Sequence, residues 1–462
     1  MSSHAGNPRT SPYPGRFGGT GDRVQARSLR ISWVLIISSL VAVVMFIPIR
    51  RYSLPGALPF ELEPYRLLVA VVITGWVAAL LVDTRVTLRP TGLRGPLFLL
   101  TFAVLASLAV NPANVTEEHT QVIKSLTFLL SFLLVLVLIV SVINTREAVD
   151  RILKVLVGSG AIVAVFAIIE SRTDWNAFNE LGRVIPFLKL QEVPNIPGRG
   201  ARLRVFASAQ HSIALSAAMV MLVPLAFYLA VRTAKRIWWV AGGLMVVAAV
   251  ATISRTGILM LAVILIVFAV LRPADARRAL PIALPLLIMM HLAIPGALGS
   301  LHAAFVPKGG LVAEQESDPG QLGSGRVADL GPALDQAKQR PIFGQGFGTR
   351  VTDDQQKKAN ILDNQWLGTL LETGILGIFA WIWIFGRTVR RLGRRARRDP
   401  TDLGLLMTGL AASILAFAVG LFTYDAFSFI QVTYIMFILV ALSSVLLRIS
   451  GPPVGNDTRT VA

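Results

Sequence analysis

The stretch DNQWLGTLLETGILG, residues 363–377, determines how the rest of the chain is arranged. It ends a polar segment that begins near Leu298, and it opens an apolar helix that carries its own polar face. Most of the remaining chain is hydrophobic and is predicted to hold this segment in place. We interpret the segment as one face of an active site at a membrane surface.

The composition is that of an integral membrane protein. The chain has 462 residues, of which 54% are hydrophobic and only 15% are charged, and it contains about a dozen long apolar runs. These runs are continuous rather than alternating, which favours helices over a closed barrel because lipid cannot satisfy unpaired backbone groups. The sequence therefore predicts an all-α, polytopic membrane protein with about twelve transmembrane helices.

The domain organisation follows from the apolar runs. The predicted spans are 31–49, 65–83, 96–110, 122–143, 152–170, 209–231, 237–253, 257–271, 279–297, 364–386, 403–422 and 427–447. Helices 1–9 thus occupy 31–297 and helices 10–12 occupy 364–447, separated by a large extracytoplasmic loop, 298–363. Residues 1–30 are predicted to be a disordered cytoplasmic tail and residues 448–462 a second cytoplasmic tail.

Orientation follows from arginine and lysine in the loops. Connections 84–95 and 144–154 each hold three such residues and 387–400 holds seven, whereas 111–121 and 423–426 hold none. The positive-inside rule therefore places both termini in the cytoplasm. The long outer loops 171–208 and 298–362 are nonetheless cationic. That charge indicates either a solvated surface or an anionic partner.

Several classes of site are excluded or disfavoured. There is no cysteine, and the five histidines lack metal-ligand spacing, so we expect no metal. The net charge of +18 lies mostly in loops, so topology explains it without nucleic acid. The arginine-rich run 387–398 is predicted to face the cytoplasm and contact anionic lipid.

Arg255 lies in a turn, 254–257, between two short apolar runs. Each predicted helix would reach only ~23 Å, short of the ~30 Å hydrocarbon core, so the turn should be recessed in the membrane. A lipid-exposed arginine at that depth is costly. Arg255 is therefore expected to face a water-filled cavity or an anion, the alternative being a structural ion pair or snorkelling.

The helix that begins near Asn364 carries two acids. Asp363 at its start is either an N-cap or a proton acceptor, and the two roles are compatible. Helical spacing turns Glu372 away from the side that carries Thr373, together with Ile375 and Phe379. An acid at the depth of Glu372 must be paired or neutral.

Three further loop motifs remain open. The glycines Gly344, Gly346 and Gly348 form either a turn that lets the backbone approach a ligand or a plain surface turn. Arg204 and His211 bracket the start of the sixth span, where His211 is either an interfacial histidine or a functional group. The pair 424–425 is interpreted as an ordinary polar loop.

In order and spacing, these motifs resemble the O-antigen ligase and Wzy-type polysaccharide polymerase family of bacterial membrane glycosyltransferases. The resemblance covers roughly residues 202–377 and includes Ser254-Arg255-Thr256-Gly257, Gly325-Arg326 and the glycine loop 341–348. Ligases of the family have histidine, then Asn, Ser or Gln, nine residues and Gly-x-x-Gly. This sequence has Asp363, Asn364, nine residues, Gly374 and Gly377. The missing histidine favours a polymerase over a strict ligase.

The resemblance implies a GT-C-like fold and a metal-independent, inverting transfer of glycan from a polyprenyl-pyrophosphate donor to a glycan or lipid-linked acceptor. No cofactor is implied, and the location is the bacterial plasma membrane, among other envelope glycan assembly proteins. The implied catalytic residues are Asp363, Arg255 and Arg326. The implied substrate-binding residues are Arg204, His211, Arg202, Gly344, Gly346, Arg350, Asn364 and Glu372.

Two alternatives remain. A transporter or flippase of an anionic lipid-linked substrate fits the number of spans, but no internal repeat of the kind common in transporters is present. A cell-wall glycan polymerase of the rod-shape and division type has similar spans, but its signature is missing.

Overall fold

Eleven of the twelve predicted spans correspond to apolar helices. The computed structural model describes residues 32–55, 62–191, 193, 204–279, 281, 288, 330–350 and 363–451. The predicted tails, nearly all of the ninth span at 279–297 and most of the loop 298–363 lie outside the described residues. The all-α class is confirmed.

The helices are numbered here in chain order. They are α1 Trp33–Phe46, α2 Pro64–Val82, α3 Arg94–Val110, α4 Pro112–Glu117, α5 His119–Val142, α6 Arg146–Thr173, α7 Leu181–Val184, α8 Ser212–Thr233, α9 Arg236–Ala251, α10 Arg255–Leu271, α11 Pro273–Ala279, α12 Leu330–Gln339, α13 Gln365–Arg398, α14 Asp402–Gly420 and α15 Ile430–Ile449. Two 3-10 helices, Ala177–Asn179 and Ala426–Ser428, lie in loops. Strands β1 Tyr52–Ser53 and β2 Lys189–Leu190 pair antiparallel, with Tyr52 opposite Leu190.

Length and composition divide the apolar helices into two groups. Among the described residues, seven helices (α2, α5, α6, α8, α13, α14 and α15) are long and apolar enough to cross a membrane. The apolar helices α1, α3, α9 and α10 are shorter. α13 extends twelve residues past its predicted end at 386 to Arg398, because the arginine-rich sequence that follows is itself a good helix former.

Helices α8, α14 and α15 form the interior, and most of their residues are buried. α8 packs against α6, α9, α10, α14 and α15. Small side chains permit this close approach, since a Cβ on Gly409 would lie 3.2 Å from the Pro224 carbonyl oxygen. Ser413 Oγ donates a hydrogen bond to Met221 O at 2.7 Å and links α14 to α8. α2, by contrast, exposes apolar side chains, as a lipid-facing helix does.

An ionic network joins the starts of α6 and α14. Asp402 accepts contacts from Arg146 Nη2 at 2.8 Å and from Arg232 Nη1 at 2.9 Å. Tyr228 Oη donates to Asp150 Oδ1 at 2.7 Å. Arg146 on α6 and Arg232 on α8 thus share Asp402 on α14 as a carboxylate partner. These contacts link the three helices.

Candidate functional site

α13 is broken at Gly374, whose backbone angles (φ 65°, ψ −162°) are essentially restricted to glycine. Regular helical rotation would turn Glu372 away from Thr373, together with Ile375 and Phe379. Instead, Glu372 lines an internal cavity with Thr373, whereas Ile375 and Phe379 are 59% and 56% exposed. Glu372 therefore does not share a face with Ile375 and Phe379 as predicted, because the break interrupts the helical rotation between Glu372 and Ile375.

The glycine loop 341–348 packs into this break. Three backbone hydrogen bonds join the loop to α13: Gln345 N to Leu371 O (2.8 Å), Gly346 N to Glu372 O (3.3 Å) and Ile375 N to Pro341 O (2.9 Å). A Cβ on Gly344 would overlap the backbone at Glu372 and Thr373, so only glycine permits this approach. In this structure, Gly344 and Gly346 therefore bring the loop against the helix backbone.

Polar residues at the end of α3 and in α4 contact the glycine loop and the adjacent backbone of α13. Asn111 Nδ2 donates to Gly344 O at 3.0 Å, and Asn114 Nδ2 donates to Gln345 O at 2.8 Å. Ser107 Oγ donates to the Glu372 carbonyl at 2.5 Å. Sequence reasoning missed these residues. The available signal was a serine and two asparagines at the end of an apolar run.

A buried ionic cluster lies beneath the loop. Arg350 Nη2 is 2.9 Å from Asp425 Oδ2, and Arg350 Nε is 3.6 Å from Glu372 Oε1. Burial lowers the pKa of Arg350, but the charges of Asp425 and Glu372 outweigh burial and raise it above the ordinary value. One guanidinium thus lies between two buried carboxylates. Glu372, which was predicted to be paired or neutral, has Arg350 as its partner.

An internal cavity of about 100 Å³ adjoins this cluster. Its polar lining includes Arg350, Glu372, Asp425, Gln365 and Thr369. Its apolar lining includes the aromatic side chains of Phe128, Phe132, Phe347, Trp381, Phe427 and Phe437. The volume is below the ~300 Å³ at which typical ligand pockets begin, so the cavity has room for a small group rather than an oligosaccharide.

The turn 421–429, between α14 and α15, connects the candidate segments. Four sets of contacts reach it: Thr256 Oγ1 to Thr423 Oγ1 (2.8 Å), Gln365 N to Leu421 O (2.8 Å), Arg350 to Asp425, and Ile430 N to Gln210 Oε1 (2.7 Å) at its end. Tyr424 is fully buried and Asp425 is 7% exposed. The interpretation of 424–425 as an ordinary polar loop is therefore wrong, because both residues are buried and the turn contacts four segments that are distant in sequence.

Two helix starts at this turn are capped by predicted site residues. Asn364 Oδ1 accepts from Leu367 N at 3.1 Å and is the N-cap of α13, so Asp363 precedes the cap. Asp363 is half-buried. His211 Nδ1 accepts from Ile213 N at 3.1 Å and caps α8, and its ring stacks on Phe429 at 5.7 Å. The N-caps are thus Asn364 and His211, whereas Asp363 was the predicted N-cap of α13.

Arg204 and Arg255 belong to adjacent segments. Arg204 Nε donates to Thr252 O at 3.3 Å, three residues before Arg255, which is half-buried as the first residue of α10. Ile253, between them, has φ 50°, a left-handed conformation that is strained for a β-branched residue. The turn is therefore constrained by its surroundings, and Arg204 contacts it directly.

A buried arginine outside the predicted site shapes the segment that carries Arg204. Arg51 Nη2 donates to Ala207 O at 2.6 Å, and Glu170 Oε2 accepts from Ala207 N at 2.8 Å. Ala207 has φ 43°, so both of its peptide groups are held in a conformation unfavourable for alanine. Burial lowers the pKa of Arg51 to about 10, which the charge of Glu170 partly opposes. Arg51 was not singled out because nothing in its local sequence distinguishes it.

Several buried polar atoms around the turn have no hydrogen-bond partner among the described residues. They are Ser254 Oγ, Gln210 Nε2, Tyr424 Oη and Asp425 Oδ1. Ser254 is the N-cap of α10, yet its hydroxyl does not cap the helix. Folded proteins satisfy the large majority of buried polar groups, so a cluster of exceptions requires an explanation. The arrangement offers both donors and acceptors to a polar ligand.

Two predicted residues, Arg202 and Arg326, lie outside the described residues. Within the described ranges, no group of three or more His, Asp or Glu side chains is placed to hold a metal ion. The structure brings Arg350 and Glu372 into direct contact. It also brings the segments that carry Arg204, Arg255, Asp363 and Asn364 to the turn 421–429.

The fold and this site together define a multi-pass, all-α membrane protein with a polar centre at one end of its helix bundle. Residues 240–382 match the family model described as O-antigen ligase. This range runs from α9 into α13 and includes the arginine turn, the glycine loop and the break at Gly374. The match confirms the resemblance to the O-antigen ligase and Wzy family for this part of the chain and supports a glycosyl-transferring function of that type. No curated protein matches the chain.

Proposed function

We propose that this protein is a membrane glycosyltransferase that polymerises or ligates polyprenyl-pyrophosphate-linked oligosaccharide at the extracytoplasmic face, with polymerisation favoured. The observation that carries the proposal is the start of α10, where the Ser254 side chain does not cap the helix and where Arg255 and Arg204 lie on adjacent segments. A helix N-terminus attracts anions through its backbone N–H groups and its dipole, and guanidinium groups bind phosphate oxygens bidentately. This region therefore suits the diphosphate of the donor.

The proposed reaction is an inverting displacement at the anomeric carbon. The acceptor hydroxyl oxygen attacks that carbon, the bond to the diphosphate oxygen breaks, and the diphosphate leaves with the electron pair. The hydroxyl proton passes to the carboxylate of Asp363. Arg255, with Arg326 and Arg204 from the outer loops, neutralises the charge that develops on the leaving group.

The remaining predicted residues have positioning roles in this proposal. Arg350 and Glu372 hold the glycine loop and the turn 421–429 against α13. Asn364 and His211 fix the starts of α13 and α8. Tyr424 Oη and Asp425 Oδ1 offer a buried donor and acceptor to a substrate hydroxyl.

Purified protein in liposomes with lipid-linked single repeats tests the proposal. Arg255→Ala should lower the rate of chain lengthening about 10²- to 10³-fold, and Asp363→Ala about 10²- to 10⁴-fold. Arg183→Ala is the matched control, because that side chain is 82% exposed. Full activity in both site variants would contradict the assignment. Translocated but chemically unchanged donor would instead indicate the flippase.

The cellular setting is part of the same proposal. We place the protein in the bacterial plasma membrane with both termini cytoplasmic and the loop 298–363 outside. A topology reporter fused after Ser317 tests this, since a cytoplasmic signal would reverse the orientation. Loss of long surface glycan with persistence of single repeats would indicate a polymerase. Accumulation of long chains on the lipid carrier would indicate a ligase.

A further inference from the structure

A second cavity lies at the C-terminal end of α13, well separated from the candidate site. Its volume is about 430 Å³, within the range of small-molecule pockets. It is lined by Arg391, Arg394, Arg395, Arg398, Asp399, Pro400 and Leu447. Roughly 33 Å of helix separates Glu372 from Arg394 at ~1.5 Å per residue. The two cavities therefore have distinct linings and opposite positions along one helix.

Helical spacing gathers these arginines on one face of α13. Their positions follow an i, i+3, i+4, i+7 pattern, so successive side chains lie above one another. The only acid in the lining is Asp399, whose Oδ1 already accepts hydrogen bonds from Thr401 N at 2.9 Å and Thr401 Oγ1 at 2.5 Å. The lining thus carries four positive charges against one negative charge.

The hydrogen bonds of these arginines do not neutralise them. Arg395 Nη2 donates to Ser450 O at 2.6 Å, and Arg391 Nη1 donates to Gly92 O at 3.4 Å, both uncharged acceptors. Among the described ion pairs, none involves an arginine of this lining. Arg146, Arg232 and Arg272, in contrast, each contact an aspartate.

Helix electrostatics explains part of this arrangement. Cations near a helix C-terminus are stabilised by about 0.3 to 1 kcal/mol, and long arginine side chains extend readily to solvent. Neither effect explains why the arginines line a cavity, or why the apolar side chain of Leu447 lies beside them. The combination is suited to a ligand with an anionic head and an apolar tail.

We propose that this cavity binds the phosphate group of an anionic phospholipid, with an acyl chain beside Leu447 at the end of α15. Guanidinium groups bind phosphate oxygens in pairs, and arginine clusters next to a transmembrane helix attract anionic headgroups. The site is independent of the glycan chemistry at the other end of α13.

Native mass spectrometry of the full-length protein, released from nanodiscs of mixed composition, tests the site. The nanodiscs contain dioleoylphosphatidylcholine with a minor fraction of dioleoylphosphatidylglycerol. Arg394→Gln with Arg398→Gln removes two exposed lining arginines. The matched control is Arg390→Gln with Arg397→Gln, which removes the same charge from the same helix outside the cavity.

We expect the wild type and the control to retain phosphatidylglycerol in preference to phosphatidylcholine. The cavity variant should lose that preference about 30-fold, because it loses two direct guanidinium contacts with the lipid phosphate, a loss that the control does not share. Equal losses in both variants would overturn the proposal, because they would indicate general surface charge. Retention of added inorganic phosphate without any phosphatidylglycerol preference would also overturn it, because the ligand would then be free phosphate.

Discussion

The two ends of α13 contain arginines in opposite surroundings. Near its N-terminal half, Arg350, which follows the glycine loop, is buried between Glu372 and Asp425, so the cluster contains its own counter-charges. At its C-terminal end, Arg394 and Arg398 are exposed and have no carboxylate partner among the described residues. A buried arginine needs a counter-charge within the protein, because burial removes its hydration. An exposed arginine is solvated and stays accessible to an anion from outside the protein. The first arrangement stabilises the fold and the second leaves charge available for binding.

Arg350→Ala should give the largest loss of stability. It would leave Glu372 and Asp425 buried without a counter-charge, at an expected cost of about 3 to 5 kcal/mol. Thermal unfolding of the purified protein in detergent measures the change. The triple variant Arg350→Met, Glu372→Gln, Asp425→Asn should recover much of the loss. If Arg350→Ala unfolded at the wild-type temperature, the buried pairing would not be a stabilising feature.

Gly374→Ala should have the next largest effect. The backbone at this position is nearly restricted to glycine, and an added Cβ would overlap the Ile342 carbonyl, so we expect a cost of about 3 kcal/mol. The control is Gly386→Ala on the same helix, where a Cβ meets nothing within 4 Å. That control should be neutral or stabilising by up to about 1 kcal/mol. Equal unfolding temperatures for the two variants would argue against the break in α13.

Asn364→Ala should have a smaller effect, about 1 kcal/mol, through loss of the N-cap of α13. Asn364→Asp keeps an oxygen acceptor at the same position and should stay close to the wild type. Unfolding in detergent again provides the measurement. A larger loss in the aspartate variant than in the alanine variant would show that the cap is not what Asn364 contributes.

Arg394→Gln with Arg398→Gln should have the smallest effect on stability, within about 0.5 kcal/mol, because exposed charges contribute little to folding. Loss of the two exposed arginines would then cost less folding stability than loss of the single buried Arg350. An unfolding temperature far below that of the wild type would mean that these arginines also hold the helix ends together.

Much of the fold was predictable because a helix that crosses a bilayer requires a long apolar run, which is visible in the sequence. Eleven described helices lie where apolar runs predicted them, and the short helices on either side of the arginine turn were predicted from length alone. At ~1.5 Å per residue, α9 and α10 reach only ~24 Å and ~26 Å, as the recessed turn requires. The depth of that turn in the bilayer remains a prediction.

The site was predicted in its parts rather than in its arrangement. Arg204, Arg255, Asp363 and the glycine loop were each singled out, and the structure brings their segments together. Ser107 and Asn111 were missed and Asp425 was interpreted as part of an ordinary loop, because a buried partner on another helix leaves no local pattern. Glu372 was grouped with Ile375 and Phe379 because helical periodicity assumes an unbroken helix, whereas Gly374 breaks this one.

The sequence by itself determined the membrane class, the order of the helices and the residue types able to bind a diphosphate, since these depend on composition and spacing. Only the tertiary structure decided which arginine is neutralised and which is available. That choice depends on the distance between side chains that are far apart in the sequence, such as Arg350 Nη2 and Asp425 Oδ2 at 2.9 Å. Packing sets those distances, and packing is a property of the whole chain.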